Sequence, residues 1–481
     1  MNRRDFLRMS IVAGAAARGW AADTKPTPPN ILWVLFDDAR PDVLGCYGRP
    51  WANTPNMDAV AARGVRFETA VVQCPICVPS RTSYKTGQYA HQTGIMSMGD
   101  PPETRPPYGR PRTPQYADLL TAWTDAGRKP INVGKIHAFR PHWDHRGDPR
   151  QAKPPRKIDG KQYDPVNLTT HGWQIGGTIP VHPDDTRTSR IADRALDVVE
   201  QLAEAGGPFF LRVSFHAPHV PIQVPPPFMV DPESVTLPYP TQEELDSKPR
   251  FEREQLRIYA GTTDLSREAI QVARGTYYGM IALADHGVGR LLDRMRERGL
   301  LDNTIVAINS DHGLQMGEHG LHKKRNFYEQ TVCIPMVFSW PGHLPEGEVV
   351  REPVEFLDFL PTLMDLSGMT PPRDVAGRSM APLMRGDTTT ARHATFSEID
   401  QSGSMYDELR RDSGRRVMVR TKDWKLIYFR DPRVKDKDGA LYNLEKDPGE
   451  TQNLYNDPAY AETIARLEAL VDDWDRVGKE V

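Results

Sequence analysis

The chain has 481 residues, and the 38% that are hydrophobic can supply a large core and two folded units. Its formal net charge of −3 does not indicate a basic surface for nucleic-acid binding. The sequence contains no run of about twenty apolar residues, so no membrane span is predicted. Four cysteines are too few for a small, disulfide-stapled secreted protein.

The first segment is predicted to be a leader rather than part of the fold. Arg3 and Arg4 precede a short, weakly apolar run over residues 9–17, and this order resembles a bacterial twin-arginine signal. We expect residues 1–22 to be a signal peptide that exports the protein to the periplasm or the extracellular space. An arginine pair on a folded helix is the alternative.

Three continuous apolar runs, over residues 30–36, 208–215 and 303–310, predict strands that are covered on both faces. Helical spacing over 186–205 and 274–298 places helices among them, which favours a layered α/β/α fold. Polar side chains follow each run at the carboxyl end, where open α/β sheets bind ligands. They are Asp37 and Asp38, then His216 and His219, then Asp311 and His312.

The pattern of predicted elements changes after about residue 385. Short strands are predicted over 394–398, 416–420 and 425–429, and a helix from about Tyr460 closes the chain. We therefore expect a large domain over residues 23–385 and a C-terminal subdomain over 386–481.

The most informative segment is Cys77-Val78-Pro79-Ser80-Arg81, which continues to Gly87. Alone it could be a buried cysteine before a helix. Cys74 adds a C-x-x-C spacing typical of redox or zinc sites, but no second pair supplies the remaining zinc ligands. The segment resembles the signature of type I sulfatases, in the alkaline phosphatase superfamily. The resemblance implies that a formylglycine-generating enzyme oxidises Cys77 to Cα-formylglycine, an aldehyde.

Further segments carry the same resemblance over nearly the whole mature chain. Residues 134–137 are similar to the family's Gly-Lys-Trp-His, residues 217–221 to its Pro-His-x-Pro, and residues 316–324 to the segment that brings its last active-site lysine. Residues 441–454 are similar to its C-terminal subdomain. The implied fold is an alkaline phosphatase-like α/β/α sandwich. It has a large mixed, mostly parallel sheet and a small C-terminal antiparallel sheet with a helix.

The resemblance implies one divalent metal ion. Its expected ligands are Asp37, Asp38, modified Cys77, Asp311 and His312. Calcium is the first choice by family, and paired carboxylates suit a hard cation. Many sulfatases have asparagine at the position of His312, and a histidine there is typical of the iduronate-sulfatase-like and choline-sulfatase-like branches. Imidazole is a better ligand for manganese or zinc, so these metals stay open.

The resemblance also implies the catalytic roles. Arg81, Lys135 and Lys324 would neutralise charge on the sulfate, with Lys323 as the fallback for Lys324. A hydroxyl of the hydrated aldehyde would attack sulfur, and the second would expel sulfate after losing a proton to His137. His219, helped by Lys324, would protonate the leaving alcohol. Lys135, His219 and Lys324 would also bind substrate.

The expected function is hydrolysis of sulfate esters, on a sulfated sugar or polysaccharide. Cationic and aromatic residues on loops over 100–175 suit an anionic sugar, although a solvated proline-rich loop explains them equally well. They are Arg105, Arg110, Arg112, Arg140, His142, Trp143, Arg146, His171 and Trp173. A phosphodiesterase or phosphonate monoester hydrolase of the same superfamily is the main alternative, and a non-catalytic glycan-binding protein is the second.

Overall fold

The structure is a computed structural model of the full chain. It describes residues 27–98, 118–137, 144–145, 157, 166, 174–236, 239–258, 265–400, 414–431, 434 and 438–477. The predicted leader and the arginine- and tryptophan-containing loop residues named above lie outside these ranges. No helix among the described residues is both long and apolar enough to cross a lipid bilayer.

The strands are β1 (Asn30–Asp37), β2 (Val65–Phe67), β3 (Ala70–Val71), β4 (Ile131–Gly134), β5 (Asp144–His145), β6 (Phe210–Pro218), β7 (Thr304–Ser310), β8 (Gln315–Met316), β9 (His322–Lys323), β10 (Met336–Ser339), β11 (Glu348–Val350), β12 (Val354–Glu355), β13 (Thr395–Asp400), β14 (Arg415–Arg420), β15 (Trp424–Phe429) and β16 (Gly439–Asn443). The α-helices are α1 (Pro55–Ala62), α2 (Cys77–Thr86), α3 (Ala90–Thr93), α4 (Thr121–Asp125), α5 (Arg187–Ala205), α6 (Gln242–Ser247), α7 (Arg250–Ile258), α8 (Arg267–Glu297), α9 (Glu329–Val332), α10 (Phe359–Leu366), α11 (Ala381–Met384) and α12 (Ala461–Val477).

Within the described ranges, eight strands form one large sheet in the order β11-β2-β10-β7-β1-β6-β4-β5. The pairs around β1 are parallel, and β10 runs antiparallel to both of its neighbours. This confirms the expected mixed, mostly parallel sheet. Because β1 lies between β6 and β7, the three strands predicted from apolar runs are neighbours, and their polar ends meet at one edge.

The central strand β1 is buried on both faces. Leu32, Val34 and Phe36 pack into one apolar cluster, together with side chains of α5 and α8. Trp33 alternates with them and packs into a second cluster on the opposite face, with side chains of α2 and α10. Successive side chains of β1 therefore pack against helices on opposite faces of the sheet, which confirms the α/β/α sandwich.

The smaller sheet has the strand order β13-β14-β15-β16, with antiparallel pairing throughout, and α12 follows it. This confirms the expected C-terminal sheet and closing helix. The predicted ends of most elements lie within a few residues of the observed ends. The second long helix is an exception, because it was predicted to begin at residue 274, whereas α8 begins at Arg267.

A buried ammonium group attaches the small sheet to the rest of the fold. Lys425 on β15 lies 2.7 Å from Glu329 Oε1 and 2.6 Å from Glu450 Oε1, and it donates to the backbone carbonyl of Phe327 at 2.9 Å. The lysine side chain has no solvent exposure. Its charge therefore compensates Glu450, which water cannot reach, and Glu329, whose side chain is 26% exposed.

We expect Lys425→Met to lower the free energy of unfolding by about 3–5 kcal/mol, because it leaves the fully buried carboxylate of Glu450 without its cation, whereas Glu329 keeps Arg420 at 3.0 Å. Urea titration followed by circular dichroism measures this. Lys422→Met is the matched control, since Lys422 is exposed in the turn before β15 and should change stability by under about 0.5 kcal/mol. Equal effects of the two substitutions would contradict this account of the attachment.

Candidate active site

Three carboxylates meet at the carboxyl ends of two adjacent strands. Asp37 ends β1, and Asp311 directly follows β7, with Phe36 and Ser310 paired in the register between them. Asp38 has a left-handed backbone with φ of 72°, and its amide donates to Asp311 Oδ1 at 3.2 Å. The parallel pairing of two buried strands therefore brings the acidic side chains together.

Cys77 is the first residue of α2, so its side chain lies at the positive end of the helix. It is fully buried. Its Sγ is 3.1 Å from His312 Nε2, 3.1 Å from Lys324 Nζ and 3.7 Å from Asp37 Oδ1. Burial and Asp37 raise the pKa of the thiol, but Lys324 and His312 outweigh them and lower it well below its usual range. The surroundings thus favour an anion at this position.

Arg81 lies one helical turn after Cys77, on the same side of α2. Its Nη2 donates to Asp37 Oδ2 at 2.7 Å, and its Nε donates to Asp311 Oδ2 at 2.8 Å. The guanidinium also donates to the carbonyl of Ile136 at 3.2 Å. Arg81 therefore bridges the two strand ends and joins them to the segment after β4.

Two lysines approach the carboxylates from different elements. Lys135, which follows β4, places Nζ 2.6 Å from Asp37 Oδ2. Lys324, which follows β9, places Nζ 2.6 Å from Asp38 Oδ1. Lys324, the residue preferred over its neighbour Lys323 from the sequence, thus contacts both Asp38 and Cys77.

The ring of His312 is oriented by its own backbone neighbour and by Asp38, whose Oδ1 lies 3.0 Å from the ring Nδ1. Its Nδ1 lies 3.1 Å from the carbonyl of Gly313, which accepts only, so Nδ1 carries a hydrogen. Its Nε2 faces Cys77. Burial lowers the pKa of His312, but the carboxylate of Asp311 outweighs it and raises the pKa to about 10.

His219 follows β6 on the same edge of the sheet. Its Nδ1 donates to the carbonyl of Val220 at 2.8 Å, so Nε2 points to the site, 3.8 Å from Asp37 Oδ1 and 4.0 Å from Asp38 Oδ2. Burial lowers its pKa, but the two carboxylates outweigh it and raise the pKa. The His219 side chain keeps 23% exposure, whereas Asp37 has none, so His219 lies at the open side of the site.

The cluster can hold a metal ion. Ligand atoms of Asp37, Cys77, Asp311 and His312 lie within 4.8 Å of one another, and all four residues are buried. Burial raises the pKa of Asp37 and Asp38, but Lys135 and Lys324 help to outweigh it, and the pKa of both carboxyls is lowered. Burial and the charge of Asp37 raise the pKa of Asp311 to about 6, so the nearby cations do not fully compensate the three acids. A divalent cation would compensate them, and a histidine whose Nδ1–H is held by a carbonyl presents Nε2 as a ligand atom.

His137 is the one predicted site residue that forms no hydrogen bond or ion pair with another described residue of this cluster. We expected an extended segment in which Lys135 and His137 point the same way. The chain turns at Gly134, before both residues, where φ is 91° and a Cβ would lie 2.2 Å from the carbonyl of Ser214, and it leaves the extended conformation again at His137. His137 has φ of 40°, is exposed, and forms no hydrogen bond or ion pair with a described residue.

Comparison with known proteins decides the family. The sulfatase family profile matches residues 29–369, and the profile of the N-sulphoglucosamine sulphohydrolase C-terminal region matches residues 317–476. The chain belongs to the sulfatase family. It is therefore a sulfuric ester hydrolase, as the sequence predicted.

Named sulfatases match along almost their full length. The arylsulfatase of Clostridium perfringens is 28% identical over 92% of this chain and 93% of its own. Iduronate 2-sulfatase of Homo sapiens is 24% identical over 94% and 95%, and this relative belongs to the iduronate-sulfatase-like branch suggested by His312. The Delta 4,5-hexuronate-2-O-sulfatase of Bacteroides thetaiotaomicron is 28% identical over 96% and 91%.

Solved structures agree on the fold. A 2-O GAG sulfatase superposes with a TM-score of 0.72 at 24% identity, over 94% of this chain and 93% of that one. The phosphonate monoester hydrolase of Agrobacterium radiobacter superposes with a TM-score of 0.74 at 23% identity, over 93% and 96%. The alkaline phosphatase-like architecture of this sulfatase is thus shared by enzymes of two named activities.

Two further side chains, which were not predicted from the sequence, support the sulfatase site from behind. The Tyr277 hydroxyl donates to the carbonyl of Asp38 at 2.5 Å, and Ser80 Oγ donates to the carbonyl of Asp311 at 2.5 Å. Ser80 lies inside the signature over residues 77–87, so the sequence does contain a local signal for it. Tyr277 lies on α8, 239 positions from Asp38, and carries no local signal.

The lysine geometry gives a direct prediction. Lys324→Ala should lower sulfatase kcat/KM by roughly 10²-fold or more, because it removes a cation that contacts both Asp38 and Cys77. Lys323→Ala is the matched control, with the same substitution at the adjacent position, and should retain most activity. A larger loss for Lys323→Ala in steady-state kinetics would show that the fallback assignment was the correct one.

Proposed function

We propose that this sulfatase removes sulfate ester groups from a sulfated sugar or polysaccharide, with a formylglycine formed from Cys77 as its nucleophile. The single observation that carries the proposal is the buried position of Cys77 Sγ, 3.1 Å from both His312 Nε2 and Lys324 Nζ. In this account the sulfur stands in for the oxygen of the hydrated aldehyde. A formylglycine-generating enzyme is the partner that makes the conversion.

We propose that Asp37, Asp38, residue 77, Asp311 and His312 hold one divalent metal ion. Calcium is the first choice from the three carboxylates, and the imidazole leaves manganese and zinc open. A cation bound there would supply a positive charge that polarises a sulfate oxygen. The ligand set is supported by convergence of its side chains at the edge of the sheet.

The remaining roles follow from charge and exposure. Arg81 holds Asp37 and Asp311 in place, and the ammonium groups of Lys135 and Lys324 bind sulfate oxygens. Lys324 also assists His219 in the departure of the alcohol. His219 donates a proton from Nε2 to the leaving oxygen, since that nitrogen faces the cluster and the ring borders solvent. We assign proton acceptance to His137 from the sequence pattern alone. Its exposed ring contacts none of the other site residues that the structure describes, so no contact adds to that assignment.

A sugar substrate is supported by the names of the relatives. Two of them are an iduronate 2-sulfatase and a hexuronate-2-O-sulfatase, each matched over more than nine-tenths of both chains. We also propose that residues 1–22 direct export by the twin-arginine route. Residues 23–385 would then form the catalytic domain and 386–481 the C-terminal subdomain. Export would give access to glycans outside the cytoplasm.

A phosphonate monoester hydrolase or phosphodiesterase remains the second candidate activity of this site, favoured by the structural likeness to the Agrobacterium enzyme. Turnover of nitrophenyl sulfate and of an aryl phosphonate by one preparation separates the two. Faster hydrolysis of the sulfate supports the first proposal, and faster hydrolysis of the phosphonate supports the second.

The assignment of His219 is tested by changing the leaving group. His219→Ala should lower kcat/KM on a sulfated sugar by roughly 10²–10⁴-fold, because an alkoxide needs a proton when it departs. The loss on nitrophenyl sulfate should be far smaller, since nitrophenolate leaves without one. His216→Ala, two residues before the end of the same strand, is the matched control. Equal losses of His219→Ala on both substrates would assign the acid to another group.

A further inference from the structure

We propose that Glu318 is a positioning residue for the reaction. It joins the turn that carries Asp37 and Asp38 to the loop that carries Lys324, and so fixes the ammonium of Lys324 beside residue 77. This rests on the proposed function, in which Lys324 assists departure of the alcohol. We call residues 317–325 the lysine loop.

Glu318 accepts three hydrogen bonds from three different elements. Its Oε1 accepts from Arg40 Nη1 at 2.7 Å and from Arg274 Nη1 at 2.6 Å, and its Oε2 accepts from the amide of Met316 at 2.8 Å. The side chains of Arg40 and Arg274 are 1% and 2% exposed, and that of Glu318 is 6% exposed. The carboxylate therefore connects two buried cations to the start of the lysine loop.

Arg40 links Glu318 to the turn that carries Asp37 and Asp38. Its guanidinium also forms a two-point pair with Asp42, at 2.9 and 2.8 Å. Its backbone amide donates to the hydroxyl of Tyr277 at 3.2 Å, and that hydroxyl donates to the carbonyl of Asp38 at 2.5 Å. The left-handed turn at Asp38 is thus held by the residue that also holds Glu318.

The lysine loop needs such an anchor because its backbone is unusual. Five of its nine residues have positive φ: Gly317 at 104°, His319 at 58°, Gly320 at 69°, Lys323 at 89° and Arg325 at 80°. Conformations of this kind persist in non-glycine residues only where the surroundings hold them. His319 is held by Glu244, at 2.8 Å, and the carbonyl of Arg325 by Gln255, at 2.6 Å. Glu318 supplies the contact on the side of the carboxylates.

A glutamine cannot replace this carboxylate. All three partners of Glu318 are donors, so both of its oxygens are needed as acceptors. The amide nitrogen of a glutamine would face a donor whichever way the group turned, and two buried guanidinium groups would lose a counter-charge. We therefore expect Glu318→Gln to let the lysine loop move and to displace Lys324 from Asp38.

The test uses the full-length, modified enzyme and a series of substituted phenyl sulfates, with kcat/KM plotted against the pKa of the leaving phenol. Glu318→Gln should make this dependence steeper, with a roughly tenfold to hundredfold loss for the most basic leaving group and little for nitrophenyl sulfate. In a Lys324→Ala background the same substitution should add little further loss. Glu318→Asp is the second variant, for use if the glutamine variant does not fold. Its side chain keeps the charge but is one methylene shorter, so it should also make the dependence on the leaving-group pKa steeper.

Glu450→Gln is the matched control, because Glu450 is also a buried carboxylate, paired with Lys425 in the small sheet. It should lower stability and leave the slope unchanged. A Glu318→Gln enzyme with the wild-type slope, or with the same loss in both Lys324 backgrounds, would overturn the positioning role. Absence of turnover of every phenyl sulfate and of sulfated sugars by the wild type would overturn the proposed function itself.

Discussion

The structure of the site depends on the compensation of buried negative charge. Three carboxylates end up within a few ångströms of one another because β1 and β7 are parallel neighbours, and water cannot reach Asp37 or Asp311. Removing such groups from water is costly, and only close cations with good hydrogen-bond geometry offset that cost. Arg81 does so for two acids at once, which explains why the arginine follows Cys77 at the spacing of one helical turn.

The same compensation gives the position of Cys77 its chemical character. The start of α2, His312 and Lys324 all present positive charge or hydrogen-bond donors to this side chain. A group that passes through an anionic state is stabilised by such fixed surroundings, which need little reorganisation during a reaction. The cations that allow the acids to be buried are therefore also the groups that can stabilise sulfate transfer.

Much of the fold and site could be predicted because the decisive signals are local in sequence. The apolar runs before Asp37 and Asp311 are continuous because both faces of their strands are covered, and their ends locate the acids. The position of His137 could not be predicted, since its backbone leaves the extended conformation, with φ of 40°, at a residue type that carries no local signal for it. Glu318 was inside a quoted segment, but its partner Arg40 is 278 positions away, so only the tertiary structure reveals the pair.

The central claim is that residue 77 acts as a formylglycine within this charged pocket. It is tested most directly by mass spectrometry of the peptide containing residue 77, in preparations made with graded amounts of a formylglycine-generating enzyme. We expect kcat on nitrophenyl sulfate to rise in proportion to the fraction of peptide that has lost the thiol sulfur, and to vanish when that fraction is zero. Full activity in protein whose Cys77 is entirely unmodified would contradict the account.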